Sequence, residues 1–139
     1  MNKVIRGMGF HHVAIKSRNF DKSLKFYESL GCTVTVSWGS APKRAVMLDL
    51  GDGGCIELFE GGVEEKVHVP TQSGEWVHLA LAADDPDTAY ESALAAGATD
   101  RTAPHDVTIK SDPPIPVRNA FVYGPDGEVI EFFRIRSEE

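Results

Sequence analysis

The sequence predicts an α+β fold built from two similar halves, each a strand, a helix and then three strands. The first observation is repetition: "HVAIKSRNFDKSLKFYESLGC", from His12, matches "HLALAADDPDTAYESALAAGA", from His78. His12 to Gly31 and His78 to Gly97 both span 19 residues, and Asp21 and Asp87 fall at the same offset. The second is a further matching pair, "GDGGCIELFE" and "GPDGEVIEFF", which aligns Glu57 with Glu131. Internal similarity of this kind decides architecture before local propensity does. The third is size and balance: 139 residues, 42% hydrophobic and 25% charged, suit one soluble globular domain.

The elements follow in order. Residues 8–62 form the first module, 63–75 a linker and 76–136 the second module of a single domain covering 1–139. "FHHVAIK" reads as a strand, and "FDKSLKFYESLG" as a helix whose stripe is Leu24, Phe26, Tyr27 and Leu30. "TVTVSW", "RAVMLDL" and "CIELFE" complete the module, with "GDGG" as a hairpin turn. In the second module "WVHLALAA" is a strand and "PDTAYESALAAG" a helix with Ala89, Ala93, Leu94 and Ala96 on one side. "RNAFVYG" and "EVIEFFRI" are strands joined by "GPDG". Asp21 and Asp87 are expected to start the helices, and Gly31 and Gly97 to cap their C-termini. The histidines are offset by 66 residues and the glutamates by 74, so the second half carries eight extra residues. The proline-bearing "APHDVTIKSDPPIPV" takes them, as a long loop or arm with a strand near "DVTIK".

A formal charge of -7 and a pI near 5.2, with no basic stripe, argue against nucleic-acid binding. The N-terminal stretch shows no apolar signal region, and no segment approaches the ~20 apolar residues of a membrane helix, which points to a cytoplasmic protein without membrane contact. Cys32 and Cys55 are expected as buried thiols.

The polar residues inside apolar strands carry the chemistry. Strand alternation puts Cys55, Glu57 and Phe59 on one face, and likewise Val129, Glu131 and Phe133. An unpartnered carboxylate on such a face costs several kcal/mol or takes up a proton. His12 lies in phase with Phe10 and Ala14, and His78 with Trp76 and Ala80, so both histidines share faces with apolar residues. Two histidines and two glutamates at matched positions would all be satisfied by one divalent metal, giving His12, Glu57, His78 and Glu131 as expected ligands. His11 is expected on the opposite face, and His68 and His105 in linker and arm.

The motifs "HHVAIKSRNFDKSLKFYESLG", "CIELFE", "HLALAADD" and "YGPDGEVIEFF" resemble those of the vicinal oxygen chelate superfamily and, within it, the glyoxalase I-like (lactoylglutathione lyase-like) proteins. The resemblance covers nearly the whole chain, and the family's four ligand positions fall on His12, Glu57, His78 and Glu131. It implies two tandem βαβββ modules whose curved mixed sheets surround a metal, and a homodimer. It also implies a lyase or isomerase acting on a small molecule, a hemithioacetal of a thiol or a related α-hydroxycarbonyl compound. There the metal, zinc or nickel first and cobalt, manganese or iron next, stabilises an enediolate while a glutamate moves the proton. Glu131 is the first candidate for that base and Glu57 the second. Where glutathione-dependent members tend to have arginine and asparagine, this chain has Lys16 and Gly61, which argues against glutathione. Lys16, Arg101, Lys110 and Arg118 are the candidates for holding an anionic substrate. Alternatives on the same fold are a thiol transferase of the fosfomycin-resistance type, an extradiol dioxygenase, an acyl-thioester epimerase and a metal-free antibiotic-binding protein.

Overall fold

The structure, a computed structural model, describes residues 1–62 and 74–137. The chain divides into two compact units, Met1–Glu64 and Glu65–Glu139, and most of the expected linker lies outside the described residues.

The first unit contains β1 (His12–Ser17), α1 (Phe20–Ser29), β2 (Thr33–Trp38), β3 (Ala45–Asp49) and β4 (Cys55–Glu60). Its sheet has the order β1-β4-β3-β2, with β1 and β4 parallel and the other pairs antiparallel. A parallel pair needs a long crossover, and α1 with the β2–β3 hairpin supplies it. Asn19, not Asp21, caps α1: its side chain accepts from Lys22 N–H, and Asp21 sits in the first turn. Gly31 follows the helix with φ 93°, which suits a residue without Cβ. Phe26 and Tyr27 are fully buried, as are Leu48, Ile56 and Leu58. Burying each such side chain contributes ~1.5–3 kcal/mol. Buried Ser17 donates its hydroxyl hydrogen to buried Ser23 at 2.8 Å, tying the end of β1 to the helix.

The second unit repeats the plan with β5 (Leu79–Ala82), α2 (Pro86–Ala95), β6 (Thr99–Ile109), β7 (Ile115–Tyr123) and β8 (Val129–Ile135), in sheet order β5-β8-β7-β6. Again the outer strand β5 runs parallel to β8. Asp85 is the N-cap of α2, accepting from Asp87 and Thr88 N–H, and Pro86 opens the helix, where its missing donor costs nothing. Ala93, Ala120, Val122 and Ile130 are buried with Tyr90 and Phe132.

The eight extra residues form the arm with its strand near "DVTIK" and not a loop: they lengthen the β6–β7 hairpin, where Thr108 pairs with Pro116 and Ile109 with Ile115. The prolines are accommodated at the margins of the ladder. Pro116 offers only its carbonyl, which accepts from Arg136 N–H at 2.9 Å, and Pro104 falls where the β6–β7 register shifts. Among the described residues no helix is long and apolar enough to cross a membrane.

Candidate functional site

The two expected metal-binding pairs arise from one register used twice. On β1 and β4, Ala14 stands opposite Glu57; on β5 and β8, Ala80 stands opposite Glu131. In each unit the histidine lies two residues before that alanine, on the outer strand or immediately ahead of it. His12 Nε2 is 3.8 Å from Glu57 Oε1, and His78 Nε2 is 2.8 Å from Glu131 Oε2. Both imidazoles remain about a third exposed, while the glutamate side chains are 17% and 8% exposed. Among the described residues no three His, Cys, Asp or Glu side chains converge to hold a metal, so each unit offers one imidazole and one carboxylate. Borderline nitrogen with hard oxygen fits a divalent cation of the zinc or nickel kind.

The surroundings of the pairs differ. Glu131 is buried, and its Oε1 accepts from Asn119 Nδ2 at 3.1 Å. The ring of Phe121 meets His78 edge-on at 5.6 Å, and the Arg101 guanidinium lies 4.9 Å from the centre of the same ring. In the first unit His11 Nδ1 is 2.8 Å from His12 Nδ1, with the rings edge-on at 5.0 Å. This corrects the expected orientation of His11: the residue precedes β1, so strand alternation does not carry it away. If His12 is to present an Nε2 lone pair to a cation, Nδ1 must bear its proton and donate it to His11.

The four substrate-binding candidates lie in different surroundings. Lys16 shares the face of His12 and Ala14 by alternation; a Cβ on Gly61 would lie 3.7 Å from its Cε. Arg101 sits over Phe121 beside His78. Arg118 is bound to Asp87 at 2.6 and 2.8 Å and to Asp106 at 3.3 Å, holding the Asp87 carboxyl below the usual carboxylate range through its hydrogen bonds. It lines a cleft of about 730 Å³ together with Asp84, Pro114, Arg134 and Arg136. Lys110 is exposed just past β6. His105 stands opposite Asn119 in the β6–β7 ladder and therefore shares its face. His68 lies outside the described residues. Cys32 is buried and Cys55 half-buried, both as free thiols.

Asn119 and Phe121 are the site residues the sequence reading passed over. The available signal was an amide inside the apolar "RNAFVYG", the same kind of intruder as Glu57 in "CIELFE".

The model of the Glyoxalase/Bleomycin resistance protein/Dioxygenase superfamily matches residues 9–132. Among solved structures, a glyoxalase I mutant from Zea mays is similar with a TM-score of 0.69 at 21% identity, covering 93% of this chain and 45% of that one. A glyoxalase family protein from Enterococcus faecalis matches with 0.68 at 19% identity, covering 94% and 100%. TnmS3, an antibiotic-binding protein from Streptomyces sp. CB03234, matches with 0.67 at 18% identity, covering 95% and 99%. At these identities the likeness concerns the fold. No curated protein matches the chain significantly.

Proposed function

Since the chain belongs to the glyoxalase/bleomycin resistance protein/dioxygenase superfamily, we propose that it is a metal-dependent lyase or isomerase of the glyoxalase I type, acting on a hemithioacetal or related α-hydroxycarbonyl compound. The observation that carries this reading is the His–Glu pair recurring at one strand register in both units. His12, Glu57, His78 and Glu131 would hold a zinc or nickel ion, with cobalt, manganese and iron(II) as chemically suitable substitutes. Such an ion, when bound, supplies Lewis-acid polarisation of two neighbouring substrate oxygens. Glu131 is the base: it takes the proton from the carbon bearing the hydroxyl and returns it to the adjacent carbon, so that an isomer leaves with every atom retained. Arg101 and Lys16 are the cations suited to an anionic end of the substrate, because they lie on or beside the faces that carry the pairs.

Elemental analysis after reloading and desalting is expected to give about one divalent ion per wild-type chain and far less for His78→Ala. Glu131→Gln keeps an oxygen ligand but no basic carboxylate. It should retain most of the metal yet lose at least ~100-fold in turnover of methylglyoxal–thiol adducts. Near wild-type turnover by a metal-loaded Glu131→Gln would transfer the role to Glu57.

A second reading, a metal-free binder of antibiotic-like molecules, is favoured by the edge-on contact of Trp38 and Phe59 at 6.2 Å and by the likeness to TnmS3. Equally low metal in wild type and His78→Ala would select it.

A further inference from the structure

We propose that Asn119 is the positioning residue of Glu131, fixing the carboxylate through Oε1 so that Oε2 is the oxygen offered to the metal and to the substrate proton. The inference rests on the reading of Glu131 as ligand and base. Its first ground is geometry. Asn119 donates from Nδ2 to Glu131 Oε1 at 3.1 Å, while Oε2 faces His78 Nε2 at 2.8 Å, so the two carboxylate oxygens have different partners and cannot exchange without breaking both contacts.

The second ground is the other end of the same amide. Asn119 is 9% exposed, and its Oδ1 is a buried side-chain atom with no hydrogen-bond partner among the described residues. A buried acceptor without a donor destabilises the fold, so packing alone does not favour an amide at this place. Rotating the amide to exchange its ends would set Oδ1 against Glu131 Oε1, acceptor against acceptor, and cost the Nδ2 contact. Among the described residues, the orientation is thus set by Glu131.

The third ground is an internal control. The position 74 residues earlier is Ala45, which stands opposite Phe59 as Asn119 stands opposite Phe133. An apolar residue therefore serves this place in the sheet. Where it does, Glu57 lies 3.8 Å from its histidine rather than 2.8 Å. One of two duplicated glutamates is pinned, and the pin is a single side chain.

Three measurements test this. In metal-free protein, a urea-denaturation cycle of Asn119→Ala, Glu131→Ala and the double variant should be non-additive; additive midpoints overturn the proposal. In chelator competition, Asn119→Ala should hold metal about 10-fold or more less tightly than wild type, the usual scale for a residue behind a ligand, with kcat reduced more than KM is changed. Asn119→Asp, of the same shape but without the donor, should be at least as impaired. Wild-type metal affinity in both variants overturns the proposal. Should wild type hold no metal, the functional reading fails, and non-additivity still supports the pinning of Glu131 while additivity still overturns it.

Discussion

A glutamate inside an apolar strand is the residue on which the proposed site turns. Alternation marked Glu57 and Glu131 because each shares a face with apolar neighbours, and repetition linked each to a histidine 45 or 53 residues earlier in the chain. Asn119 and His11 were not legible in that way. The contact of Asn119 with Glu131 depends on the β7–β8 register across a turn, and that of His11 depends on β1 beginning at His12, two residues later than the apolar pattern suggests. His11 yields a prediction of its own. Its Nδ1 is 2.8 Å from His12 Nδ1, so it can accept the Nδ1 proton that His12 must carry to offer Nε2 to a metal. His11→Ala is expected to weaken metal binding about 10-fold while leaving the unfolding midpoint of metal-free protein unchanged. Chelator competition beside urea denaturation checks this, and unchanged affinity would remove His11 from the site.

At the scale of elements, the repeat extends further than the two histidines and two glutamates. Arg118 lies 74 residues after Arg44, and each arginine binds the first-turn aspartate of its own helix: Arg44 to Asp21 at 2.9 Å, Arg118 to Asp87 at 2.6 Å. Both aspartates lie in the first turns of their helices, and in both units an arginine at or just before a strand is tied to that turn. Strand lengths were harder to foresee. Prolines at 104, 114 and 116 argue locally for a loop, yet they sit at a register shift, in the turn and beyond the end of β8, where a ladder tolerates them. The ties set an acid dependence. Arg44 holds the Glu60 carboxyl below its ordinary range through hydrogen bonds, and Arg118 does the same to Asp87. Carboxylates with depressed folded-state values stabilise above the unfolded range, about pH 4, and lose that contribution as pH falls through the folded values. Wild type should therefore exceed a Glu60→Gln, Asp87→Asn variant in urea midpoint near neutral pH, and the two should converge in acid. Parallel curves down to low pH would show that the ties do not contribute.

At the scale of the molecule, the fold was the most legible feature, because duplication, periodicity and turn chemistry all agree on two βαβββ modules. What duplication leaves open is which copies of the modules cooperate. Each unit carries half of the proposed ligand set, one imidazole and one carboxylate. A homodimer with sites assembled from modules of different chains is the arrangement we propose. It has a consequence that a site within one chain does not. His12→Ala damages only the first module and His78→Ala only the second, so each variant alone has every site broken. In a hybrid dimer of the two, one site collects both damaged modules and the other collects both intact ones. After denaturation, mixing and refolding with random pairing, about half of the dimers are hybrids, and about a quarter of the wild-type metal sites and turnover should return. Mixing without exchange should return none. Recovery near a quarter, together with light scattering at twice the 15.1 kDa chain mass, supports shared sites. A dimer with no recovery would confine each site to one chain, and a strict monomer would remove the dimer altogether.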